Sequence, residues 1–238
     1  PPVGGDGNVI REYWAGIGGT AVSALTSNAN YPNNPTSTML LNQFQTPTNV
    51  ADNYGQRVRG YVTAPSTGAY KFWIAADDDA ELWLSTDGSP SNKVRIAFVN
   101  GWTSPAEWGK YPSQASSNIN LVAGTQYYIE ALMKEAAGGD NLAVGWQTPG
   151  SSSTIIIPGS VLSTTFNGPV PAPGAFTPTA PASGATGVSV TPTFSWAASS
   201  GAASYALVVS TNSSFTNPVI NQTGLTGTSF TAGSALSN

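Results

Sequence analysis

Apolar and polar positions alternate in short runs along most of this chain, and the runs are broken by Gly, Pro, Asn and Ser. A period of two marks a strand with one face buried. Asn8 to Tyr13, Gln56 to Thr63, Lys93 to Val99, Ile119 to Leu121, Tyr127 to Lys134 and Asn141 to Gln147 predict strands in this way. Tyr70 to Leu84 carries the pattern twice: Tyr70, Phe72 and Ile74 alternate with Lys71, Trp73 and Ala75, then Asp77, Asp78 and Asp79 intervene, and Leu82 and Leu84 resume it. That stretch predicts a hairpin around an acidic loop. Val22 to Leu25 predicts a short helix, Gly4 to Gly7 a flexible lead-in, and residues 100–114 an aromatic loop. Pro65 with Gly68, and Asp87 with Gly88, supply turn chemistry between strands. Short strands punctuated at regular intervals predict an all-β sandwich or barrel.

Composition narrows the chemistry. The 238 residues include no Cys and no His, which argues against disulfide frameworks, thiolate or imidazole metal sites, and every His-based acid–base or triad mechanism. Only 8 % of the residues are charged, and the net charge of −4 argues against nucleic acid or an anionic membrane as partner. No apolar run reaches spanning length, so membrane insertion is not expected. No signal-peptide pattern follows Pro1, and the chain reads as a mature or excised piece. All 8 basic and all 12 acidic residues lie at or before Asp140, so the chain from Asn141 onward is uncharged. Asn212 and Asn221 each open an Asn-x-Ser/Thr sequon.

Three adjacent carboxylates repel one another, and either a cation or water must meet them. Residues alone leave both readings open, a metal-binding loop or a solvated turn. Trp102 and Trp108 offer faces on which a sugar ring stacks, against a plain packing role; Trp73, Trp83 and Trp146 read as structural. Glu130 and Glu135 flank Lys134 and read as solvated pairs. A glycosidase needs two carboxylates on opposed sides of its substrate; neighbouring Asp residues are a poor pair for that, Glu81 and Glu107 are the other candidates, and the expectation is that these residues are not an enzyme.

REYW at Arg11–Trp14, GYVTAPSTGAYKFWIAADDDAELWLS at residues 60–85 and YYIEALMKEAAGGDNLAVGWQTPG at residues 127–150 together resemble a PA14 domain. The resemblance covers residues 8 to about 165, with Ala76 where relatives often show Ser and Met133 where they often show His. It implies a β-sandwich and a bound Ca2+ chelated by Asp77 and Asp78 across a cis peptide. By position it adds the Asp140 carboxylate and the carbonyls of Ala137 and Gly138. Three carboxylates and two carbonyls suit an ion that takes six to eight oxygens, and leave room for two sugar hydroxyls. Asp79, following the pair, is read as facing water, with ligand or sugar contact as the alternatives.

Domain expectations are a PA14 β-sandwich at 1–166, a Pro-rich linker at 167–178 and a partial domain at 179–238. The last resembles the opening strands of a fibronectin type III or immunoglobulin-like sandwich, with Trp196 and Tyr205 as core aromatics. Its 60 residues fall short of the roughly 100 of a complete sandwich, so about five strands are expected, with neighbouring subunits a candidate to complete them. The implied function is a calcium-dependent carbohydrate-binding module of a secreted or cell-surface protein, a lectin or adhesin with glycans or polysaccharide as partners. The alternative is a structural spacer of an extracellular fibre or adhesin stalk with a structural calcium site.

Overall fold

A computed structural model describes residues 5–168, 174–199, 202 and 204–236. The chain divides into two compact units, Pro1–Gly168 and Pro169–Asn238. The first is built from β1 (Val9–Ala15), α1 (Val22–Thr26), β2 (Ser37–Leu41), β3 (Tyr54–Thr63), β4 (Gly68–Asp77), β5 (Ala80–Ser85), β6 (Lys93–Val99), β7 (Ile119–Leu121), β8 (Gln126–Glu135), β9 (Asn141–Gln147), β10 (Ile155–Ile156) and β11 (Leu162–Ser163). One sheet runs β2-β1-β3-β8-β5-β6, with β11 also pairing β3, and the other runs β10-β9-β4-β7. The inward residues of the two sheets form one core. Val58, Val62, Leu82, Ile129 and Ala131 come from the first sheet, and Tyr70, Phe72, Ile74, Val144 and Trp146 from the second.

The hairpin expected at Tyr70 to Leu84 is not formed. β4 pairs β9, with Ile74 opposite Val144, and β7, with Tyr70 opposite Ile119. β5 pairs β6 and β8 in the other sheet. Both edges of each strand are already occupied, so Asp78 and Asp79 carry the chain across the sandwich from one layer to the other. The acidic turn therefore sits at the seam of the two sheets.

The reading of Glu130, Lys134 and Glu135 as solvated pairs is also corrected, because all three are fully buried. β8 is an interior strand with both faces covered: its inner face packs in the core, and α1 lies against β8 and β3 on the outside. Gly55 admits that helix, since a Cβ there would lie 2.7 Å from Leu25 Cδ1. Glu130 accepts from Lys93 Nζ at 2.5 Å and from the Tyr128 hydroxyl at 2.6 Å. Gly4 of the expected flexible lead-in lies outside the described residues, and the rest of it is pinned: Gly7 N donates to Leu162 O at 3.1 Å, and Asp6 accepts from Thr164 N at 3.1 Å.

Gly159 sits where the segments before β1 and after β2 meet. A Cβ there would fall 2.4 Å from Asn42 O and 2.5 Å from Gly7 O, both backbone atoms. Gly159→Ala is expected to destabilise the first unit by about 1–3 kcal/mol, measured by urea denaturation. An unchanged midpoint would show that the backbone there yields freely.

In the second unit, β12 (Pro178–Ala180), β13 (Thr193–Trp196) and β16 (Ser229–Thr231) form one sheet, and β14 (Tyr205–Val209) and β15 (Ile220–Leu225) a second. These are five strands, with Trp196 and Tyr205 in ring contact at 5.5 Å. Residues 169–173 of the expected linker lie outside the described residues, and β12 begins inside its range at Pro178. Among the described residues no helix is long and apolar enough to cross a membrane.

Candidate functional site

Four carboxylates gather at one end of the first unit because four chain segments end there. Asp77 closes β4, Asp78 begins the crossing to β5, Glu135 closes β8, and Asp140 precedes β9. The Asp77–Asp78 peptide is cis. Asp77, Asp78 and Glu135 each present a carboxylate oxygen within 4.8 Å of the others.

Two of the carboxylates, Asp78 and Asp140, are fixed by the backbone of neighbouring loops. Asp78 Oδ2 accepts from Ala136 N at 3.0 Å. Asp140 Oδ2 accepts from Val50 N at 2.5 Å and Ala51 N at 3.1 Å, tying the loop after β2 to the loop after β8. Gly138, at φ +115°, turns that loop and donates its N–H to Asp52 Oδ1 at 3.1 Å. Ala137 and Gly138 lie exposed at its tip.

Charge compression leaves a clear electrostatic signature. Burial, then Asp78 and Asp140, push the Asp77 carboxyl up to about 6, with Lys110 partly opposing. Burial, then Asp78, Asp77 and Asp140, push Glu135 up to about 7. Lys134, whose ammonium donates to the Glu135 carbonyl, is held below its ordinary range by burial. The Tyr54 hydroxyl is raised by burial and then by the Asp140 charge beside it. Both Glu135 oxygens are buried with no hydrogen-bond partner, and Asp140 Oδ1 is buried beside the Tyr54 hydroxyl. Buried anionic oxygens without donors are costly, and a hard cation is the group that satisfies such a set. The donor set therefore fits the implied ion.

Of the expected ligands, Asp77 and Asp78 are brought together with Glu135, while the Asp140 carboxylate lies nearby, outside that group of three but close enough to raise both Asp77 and Glu135. Sequence reasoning missed Glu135 because a Lys-Glu step on a strand looks like a solvated edge; the consecutive apolar residues Ala131, Leu132 and Met133 before it were the signal that β8 is covered on both faces. Asp79 is only partly exposed. Its Oδ1 accepts from Gly101 N at 2.7 Å, clamping the following loop to the turn. Trp102 bridges to Asp77 through the backbone and lines a groove of about 240 Å³ with Thr48, Asn49, Asp77, Gly139 and Asp140. Its ring is half exposed, and the Lys110 ammonium lies 2.9 Å from the ring centre. Trp108 is placed elsewhere: the edge of its ring packs against Gly145 of β9, where a Cβ would lie 3.0 Å from Trp108 Cζ2. Thr103 ties the groove to β4, since Thr103 Oγ1 accepts from Ala76 N at 2.9 Å and Thr103 N donates to Ala76 O at 2.7 Å.

Comparison with known proteins places this geometry in context. The family model described as PA14 domain matches residues 6–160. A mouse protein, N-acetyl-beta-glucosaminyl-glycoprotein 4-beta-N-acetylgalactosaminyltransferase 1, is 36 % identical over 155 residues, which cover 62 % of this chain and 14 % of that protein. Human fibrocystin-L is 36 % identical over 84 residues, covering 35 % of this chain and 2 % of fibrocystin-L. The chain thus spans a small part of the curated relatives it matches. Among solved structures, the PA14 sugar-binding domain from an RTX adhesin superposes with a TM-score of 0.51 at 14 % identity, over 66 % of this chain and 98 % of that one. The expectation of a non-enzyme is corrected by the mouse relative: a stretch like this one occurs within a protein named as a glycosyltransferase. The catalytic status of a whole protein is not read from a stretch that spans so little of it.

Proposed function

Because this chain belongs to the PA14 domain family, we propose that its first unit is a carbohydrate-binding module working through a calcium ion at the seam of the two sheets. The observation that carries the reading is the two buried, donorless oxygens of Glu135 beside the Asp77–Asp78 pair, with the buried Asp140 adjoining. Asp77, Asp78, Asp140 and Glu135 would hold the ion, with the Ala137 and Gly138 carbonyls completing its shell. Calcium bound there supplies open coordination positions for vicinal sugar hydroxyls. The chain's own residues do the rest. Asp79 and Thr103 fix the loop bearing Trp102, and Asp140 fixes the loop bearing Thr48 and Asn49, so the walls of the groove are set by the same carboxylates. The sugar-binding domain of the RTX adhesin shares this fold and supports the reading.

A single shallow site of this kind binds weakly, at about −4 kcal/mol or millimolar affinity. Repetition on a secreted or cell-surface protein is what would make it useful for adhesion. The structural alternative, a spacer in an extracellular fibre or stalk, draws on the second unit. That unit is uncharged and exposes Phe215, Val208 and Val219, a surface suited to neighbouring subunits.

The test is a glycan array in millimolar calcium and again in EDTA, with Asp78→Asn alongside and calcium affinity measured by calorimetry. Expected are glycan signals present only with calcium, and at least a tenfold loss of calcium affinity in the variant, about 1.4 kcal/mol. Calcium binding without any glycan signal would favour the spacer. A folded protein that binds no calcium would sink both readings.

A further inference from the structure

From the placement of Lys110, we propose that the groove selects an acidic saccharide, a sugar carrying a carboxylate beside a ring hydroxyl; this rests on the calcium reading above. Four of the eight basic side chains have carboxylate partners: Arg57 and Arg59 meet Glu12, Lys93 meets Glu130, and Arg95 meets Glu81. Among the described residues Lys110 makes neither an ion pair nor a hydrogen bond. Its ammonium is parked over the Trp102 ring, 2.9 Å from the centre, and 5.5 Å from that of Tyr111. Trp102 lines the groove and bridges Asp77, so the cation stands at the rim of the ion site.

Two consequences follow from that position. One face of Trp102 is taken by the ammonium, and the stacking platform a neutral sugar would use is reduced. The ammonium also lacks an anion. Asp77, the groove carboxylate that feels the Lys110 charge, is committed to the metal once calcium is bound. With Asp77, Asp78, Asp140 and Glu135 on a divalent ion two negative charges remain locally, and Lys110 offsets one of them, so the ammonium is the point on the rim where an anion meets positive charge. A uronate carboxylate placed there would give one oxygen to the ion and the other to the ammonium, a charge-assisted contact that a hydroxyl does not match.

The test measures methyl glucuronide and methyl galacturonide against methyl glucoside and methyl galactoside, by ligand-observed NMR titration of the full chain in saturating calcium. Calcium occupancy is followed separately by terbium luminescence. The acidic glycosides are expected to bind about tenfold more tightly. That ratio should fall toward one in Lys110→Gln and survive in Lys110→Arg. Lys71→Gln, at the far end of β4, should leave it in place. Equal or weaker binding of the acidic glycosides with calcium bound, or a ratio indifferent to Lys110→Gln, overturns this inference and spares the calcium reading. Failure to bind terbium or calcium overturns both.

Discussion

In EDTA, raising the pH from about 5 to about 8 is expected to lower the stability of the first unit by about 3 kcal/mol through Glu135 alone. The carboxyl is fully buried and held up to about 7 against an ordinary 4.5. Below 4.5 the group is protonated in both folded and unfolded chains and contributes no pH dependence. Between 4.5 and 7 the unfolded chain loses the proton while the folded protein keeps it, so folding opposes ionisation and stability falls as pH rises. Above 7 the cost is complete. Asp77, up at about 6, acts in the same direction but is partly exposed, and water screens much of its share. The melting midpoint should drop by roughly 10 °C across this range for a unit of this size. Saturating calcium should remove most of the slope, because the ion stabilises the ionised carboxylates and binds only the folded arrangement. Glu135→Gln should flatten the slope without calcium. A midpoint that stays level in EDTA would show that Glu135 is not a buried acid in solution.

Trp146→Ala should cost the first unit about 3–5 kcal/mol, read as a shift of the urea midpoint at constant slope. Trp146 is 2 % exposed on β9 and meets Tyr70 at 5.2 Å and Phe72 at 6.1 Å between ring centres. Removing it opens a cavity between two large rings on the adjacent strand, which cannot both move inward. Trp146→Phe is expected to be far milder, at about 1 kcal/mol. The indole N–H is buried without a hydrogen-bond partner, so losing it removes a cost along with the lost contact area. Equal loss in the two variants would mean that the N–H has a partner after all.

Local pattern carried much of the fold. β6, β7 and β9 fall where alternation and turn residues place them, since each has a turn signal at both ends. β2 was hidden inside a turn-rich stretch because four of its five residues are exposed and it shows no buried face. Strand partnership was a different matter. Alternation says which face of β4 and β5 is apolar but not which strands flank them, and a two-residue connection suits a hairpin and a layer crossing alike. The same limit applied to the site. Asp77, Asp78 and Asp140 were legible through the family resemblance, because their loops are part of its motifs. Glu135 was not, since it shares the inward face of β8 with Ile129, Ala131 and Met133, and its burial follows from packing across the sandwich. Neither was the engagement of Asp79 with Gly101, which rests on where the aromatic loop folds back.

The pairing of β11 with β3 has a consequence for how such a unit is carried. Chain enters at Gly7 and leaves at Thr164 side by side, held by the Leu162 carbonyl and the Asp6 carboxylate. β11 meets β3 at Tyr61 and Val62, whereas the carboxylates gather around the Tyr54 end. Roughly 27 Å of strand separates the two ends. Both chain ends of the unit therefore lie at the end of β3 remote from the carboxylates. A host polypeptide can accept it at one loop without parting its own flanks, and tension along the host passes through the paired chain ends and bypasses the carboxylates.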